Sequence, residues 1–102
     1  MSEALTRDGA TYGYAELRGG IVMITSAFAA NSGTYTTGTW STIGTLSEGM
    51  RPPREWRAPC NYGPNLDQTT AIRVMTDGQV QAYYRANTSV SYLTFGFSFP
   101  AA

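Results

Sequence analysis

The stretch A-I-R-V-M-T-D-G-Q-V-Q-A-Y-Y-R, residues 71–85, decides the fold class. Apolar and polar side chains alternate on both sides of Asp77-Gly78, the period-2 signature of strands with one buried face. Ile72 and Val74 share a face of the first arm, and Val80, Ala82 and Tyr84 share a face of the second. Asp-Gly supplies the positive φ angles of a two-residue type I′ turn, so the segment predicts an antiparallel hairpin.

The same pattern extends outward in both directions. In Ser91 to Phe99, Leu93, Phe95, Phe97 and Phe99 take one face while Tyr92, Thr94, Gly96 and Ser98 take the other, which predicts one half-buried strand. Residues 12–18 and 21–28 flank Gly19-Gly20 as an earlier hairpin. The unbroken apolar run Ile21 to Ile24 predicts a strand covered on both faces. Trp40 to Leu46 reads as a further strand. Arg54 to Cys60 is another, with Pro52 and Pro53 before it and Pro59 near its end, which places it at a sheet edge or corner. Residues 29–39 and 61–70 are loops by composition, and helical periodicity is absent. Residues 1–10 lack a core pattern and are expected to be an N-terminal tether, leaving 11–102 as one domain. The expected fold is all-β, an antiparallel β-sandwich of jelly-roll-like form.

Composition narrows the functional classes. A chain of 102 residues supports one core. Charged residues are only 14%, against roughly 25% in ordinary soluble domains. Seven arginines balance seven carboxylates, so there is no electrostatic footprint for nucleic acid. No apolar run approaches the roughly 20 residues that span a bilayer, and membrane insertion is not expected. The N-terminus lacks the basic start and apolar middle of a signal peptide, which implies synthesis in the cytoplasm. A single cysteine, Cys60, allows no internal disulfide and reads as a small core residue.

With neither histidine nor lysine, His-based triads, Schiff bases and P-loop phosphate binding are excluded, and no metal or other cofactor is expected. Two carboxylates would suffice for a glycosidase, but Asp77 is turn chemistry, Glu48 sits in a Gly-rich turn and Glu55 flanks Arg54 and Arg57. The aromatic residues near polar neighbours carry more information. Tyr83 and Arg85 project away from the inward Val80 and Ala82, while Tyr35, Trp56 and Tyr62 lie on or beside loops with Asn65 and Asp67. Tyr35, Trp56, Tyr62, Asn65, Asp67, Tyr83 and Arg85 are therefore the candidate ligand-binding residues: rings stack on sugar C–H faces while amides and carboxylates hold hydroxyls. The competing reading makes Trp56 a plug at one end of the sandwich and the tyrosines a subunit contact.

Four pieces in order carry a resemblance: T-I-G-T-L-S-E-G-M-R-P-P (42–53), A-P-C (58–60), V-M-T-D-G-Q-V (74–80) and F-G-F-S-F-P (95–100). Together they resemble the C-terminal tip domain of tail-fibre, baseplate and receptor-binding proteins of phages and prophages of Gram-positive bacteria. Ser47 and Met50 stand where that family usually has proline and tyrosine. The resemblance implies a non-enzymatic β-sandwich at a virion tail tip, a homotrimer that binds a bacterial cell-surface glycan or protein. It also implies that Gly44 to Pro53 is a scaffold corner in which Arg51 caps exposed carbonyls. Strands apolar on both faces (Val22 with Met23, Tyr83 with Tyr84) point the same way, to a contact between copies involving Tyr12, Tyr14, Met23 or Tyr83. Alternative readings are a structural trimerisation or capping module and a small polysaccharide-degrading domain acting through Glu55 or Asp67.

Overall fold

A computed structural model describes residues 2–7, 10–27, 39–62, 68–84 and 93–102. They form β1 (Ser2–Arg7), β2 (Ala10–Arg18), β3 (Ile21–Ser26), β4 (Thr39–Thr45), β5 (Trp56–Tyr62), β6 (Gln68–Val74), β7 (Gln79–Tyr84), β8 (Leu93–Thr94) and β9 (Gly96–Pro100), with a 3-10 turn at Glu48–Met50. Two antiparallel sheets, ordered β1-β2-β3-β9 and β4-β7-β6-β5-β8, make a sandwich. In the second sheet β5, β6 and β7 are consecutive neighbours and β4 returns beside β7, which is a Greek key. The core between the sheets comes from the alternating positions: Leu5, Val22, Ile24, Ile43, Ile72, Val74, Val80 and Phe99 are all buried.

The hairpin that set the fold class forms, with Ile72, Val74, Val80 and Ala82 inside. Its turn differs from the expected two-residue form. Gly78 N–H donates to Met75 C=O and Met75 N–H to Gln79 C=O, both at 2.9 Å, enclosing a three-residue loop, Thr76–Gly78. Gly78 carries a positive φ of 95°, and the Asp77 carboxylate accepts from Gln79 N–H at 3.1 Å. The Gly19-Gly20 turn has φ of 55° and 80°, both in the left-handed region glycine tolerates.

Three further expectations are corrected. Residues 2–7 are not a tether: β1 pairs with β2 and buries Leu5 completely. The Ile21–Ile24 run is covered on one face only, since Val22 and Ile24 are buried while Ile21 and Met23 are 43% and 52% exposed. A two-layer domain has no third layer to cover the outer face. Residues 93–99 are not one strand either. The chain pairs with β5 through Leu93 and Thr94, passes Phe95, and joins β3 through β9. Leu93, Phe95 and Phe99 stay buried throughout, because both sheets look into the same core.

The strand predicted over 54–60 lies two residues later, as β5, and only Asn61 and Tyr62 are flanked by β8. The remainder of β5 has β6 on one side only, which accommodates Pro59 without a lost ladder bond. At the corner, Arg51 Nε donates to Leu46 C=O at 3.2 Å, the carbonyl cap that the resemblance implied, and Met50 is buried. This corner, the two hairpin turns and the C-terminal residues share one pole: Leu46 N–H bonds Gly78 C=O, Ala101 N–H bonds Gly20 C=O and Ala102 N–H bonds Arg51 C=O. The ends of β1, β3, β5 and β7 gather at the opposite pole.

Candidate binding surface

The outward face of the second sheet carries its polar and aromatic residues in rows set by strand register. Trp40 lies opposite Tyr83, Thr42 opposite Gln81, Gln81 opposite Arg73, and Arg73 opposite Arg57. Each is the non-core position of its strand, so alternation alone puts them on one surface. The Arg73 guanidinium lies over the Trp40 ring at 4.2 Å and that of Arg57 at 5.4 Å, and Tyr83 meets the same indole edge-on at 5.5 Å. Cation–π contact holds the arginines down on the sheet as a flat platform.

An amide and hydroxyl relay continues from this platform. Arg73 Nε donates to Gln81 Oε1 at 2.7 Å, Gln81 Nε2 donates to Thr42 Oγ1 at 3.2 Å, and Thr42 Oγ1 donates to Gln79 Oε1 at 3.0 Å. Fixing side-chain rotamers before binding lowers the entropic cost of recognition. Glu55 pairs with Arg57 at the β5 edge, leaving Arg73 the more central cation.

Beside Trp40, where the edge strands β1 and β4 of the two sheets meet, runs an open groove of about 540 Å³. Thr6, Arg7, Thr39, Trp40, Ser41, Thr42, Gly44 and Thr45 line it. Close approach explains its floor: a Cβ on Gly44 would stand 2.8 Å from Leu5 Cα, so only glycine lets β4 come this near β1. Arg7 Nη1 reaches Thr42 C=O at 3.3 Å, tying the two edges together.

Of the residues singled out from the sequence, Tyr83 belongs to this surface. Trp56 faces the other way, partly buried against the core with its ring 6.4 Å from Phe99. Tyr62 ends β5, and its side chain lies outside the described residues, as do Tyr35, Asn65, Asp67 and Arg85 altogether. Sequence reading missed Trp40, Arg73 and Gln81. Their outward parity was visible, but only the β4-β7-β6 register brings them side by side.

Several other ionisable groups have local explanations. Burial pushes the Cys60 thiol up to about 12, the state of an inert core residue. The hydrogen bonds from Gln79 hold the Asp77 carboxyl below its ordinary value. Glu16 pairs with Arg18. No group of three or more potential metal ligands occurs among the described residues.

The fold and surface define an antiparallel β-sandwich with an aromatic–guanidinium platform on one outer face. No protein-family model and no curated protein matches the sequence. Among solved structures, the chain is similar to the head domain of phage bIL170, a crystal structure described with the receptor-binding domains of lactococcal phages. The likeness has a TM-score of 0.70 at 15% identity and covers 100% of this chain and 98% of that one. The two share a fold.

Proposed function

We propose that this chain is the receptor-binding domain of a phage or prophage tail, attaching the particle to the surface of a Gram-positive bacterium by recognising a surface saccharide. The observation that carries this reading is the end-to-end correspondence of fold with a phage head domain. The ordered resemblance of residues 42–53, 58–60, 74–80 and 95–100 to tail-tip proteins supports it independently. The platform sets the Trp40 and Tyr83 rings beside the Arg73 guanidinium, which Gln81 holds in place, an arrangement suited to a neutral polyhydroxylated ligand. Purified domain incubated with cell walls from a panel of Gram-positive strains is expected to bind at least one saturably. Trp40→Ala and Arg73→Ala, if folded, weaken that binding about tenfold or more. Retention of full affinity by both variants would move the site elsewhere on the domain.

An assembly role has its own support. Tyr14, Ile21 and Met23, at 54%, 43% and 52% exposure, stand on the outer face of the first sheet. We take this face as the contact between copies in a homotrimer. Tyr12, also considered for that contact, is buried inside its own chain at 3% exposure and supplies core instead.

A further inference from the structure

We propose that the groove between the edges of β1 and β4 is a saccharide subsite that seats a short linear segment of two or three sugar units beside Trp40. The inference rests on the receptor-binding reading and names the place and ligand class within it. Four observations converge on it. The volume, about 540 Å³, falls inside the roughly 300–1,000 Å³ of small-ligand sites. Among the described residues the lining is rich in hydroxyls, with Thr6, Thr39, Ser41, Thr42 and Thr45 beside one indole and one guanidinium, and includes no carboxylate.

The third observation is an unsatisfied group. Ser41 is only 7% exposed, yet its hydroxyl makes no hydrogen bond among the described residues. Buried polar side chains normally have a partner, and a ligand hydroxyl entering the groove would provide one. The fourth weighs against the main competitor, an extended peptide adding a strand to the β4 edge. The β4 edge is interrupted: Ile43 is an extra residue between Thr42, opposite Gln81, and Gly44, opposite Val80. Arg7 also occupies Thr42 C=O. A bulged edge with a capped carbonyl is a poor template for a further strand. A sugar chain, which needs hydroxyl partners and a ring to stack on, meets no such obstacle.

The test follows the two indole N–H signals of the folded domain by NMR, with oligosaccharides of two to six units from partly hydrolysed Gram-positive cell walls as probe. Titration is expected to shift the Trp40 signal and leave that of Trp56, which faces the core beside Phe99. Thr6→Trp and Thr45→Trp, both at exposed positions, should fill the groove and abolish the shift, while Arg54→Trp, exposed just before β5, should not. Ser41→Ala should leave the melting temperature unchanged and weaken binding about three- to tenfold, the loss of one hydrogen bond. Saturable cell-wall binding that survives both groove-filling variants would overturn the subsite while sparing the receptor-binding reading. A domain that binds walls but no released oligosaccharide would overturn the ligand class. Absence of wall binding altogether would remove both.

Discussion

At the scale of single residues, burial sorts side chains that look alike in sequence. Phe97 and Phe99 have the same parity in F-G-F-S-F, but Phe99 is 1% exposed while Phe97 is only partly buried at the margin of the core. Phe99→Ala should therefore cost about 3–5 kcal/mol, and Phe97→Ala only roughly 1–2 kcal/mol, measured by urea unfolding. Equal losses would show that both rings are equally enclosed. Cys60 gives a second check. Its thiol, pushed up to about 12, stays neutral in the folded state while the unfolded thiol ionises near its ordinary value of 9.0. Its contribution to stability is whole below pH 9 and declines as pH rises from there toward 12, because the unfolded state then binds fewer protons. At pH 8 a thiol reagent should modify Cys60 only as fast as the domain unfolds; rapid labelling of the native protein would contradict its burial.

At the scale of elements, the places where sequence reading succeeded and failed share a cause. Alternation identifies a strand when several of its side chains enter the core, as in 71–74 and 79–82. In β1 only Leu5 is fully buried, so an edge strand with one anchor carries no periodic signal and looked like a tether. Across 93–99 the alternation is real but blind to the switch at Phe95, since inward positions face the same core from either sheet. The corner was legible in outline because prolines, glycine and arginine each have a local role there. What lay hidden was its dependence on the neighbouring loop. Gly78 meets that corner in a left-handed conformation, and a Cβ there would stand 2.5 Å from Leu46 C=O and 2.8 Å from Arg51 Nε. Gly78→Ala should cost about 1–3 kcal/mol through strain and loss of this contact. Thermal unfolding measures it, and a variant as stable as the parent would refute the coupling of loop to corner.

At the scale of the whole molecule, the two outer faces differ in character. The first sheet presents Tyr14, Ile21 and Met23, an apolar set that the chain leaves uncovered. Light scattering at micromolar concentration should give about three times the 11.0 kDa chain mass, and Met23→Glu should reduce it toward the monomer. A monomeric parent would leave that face to some other partner. The second sheet presents the Trp40–Arg73 platform, which was legible only as outward parity until strand order assembled it. That platform and the shared fold are the two supports of the proposed attachment to a bacterial surface. Its most direct test is binding of fluorescently labelled domain to intact cells of a panel of Gram-positive strains, before and after periodate oxidation of their surface sugars. Saturable labelling of particular strains, lost after oxidation and weakened by Trp40→Ala, is the predicted result. Labelling of no strain, or equal labelling of all strains regardless of oxidation, would contradict it.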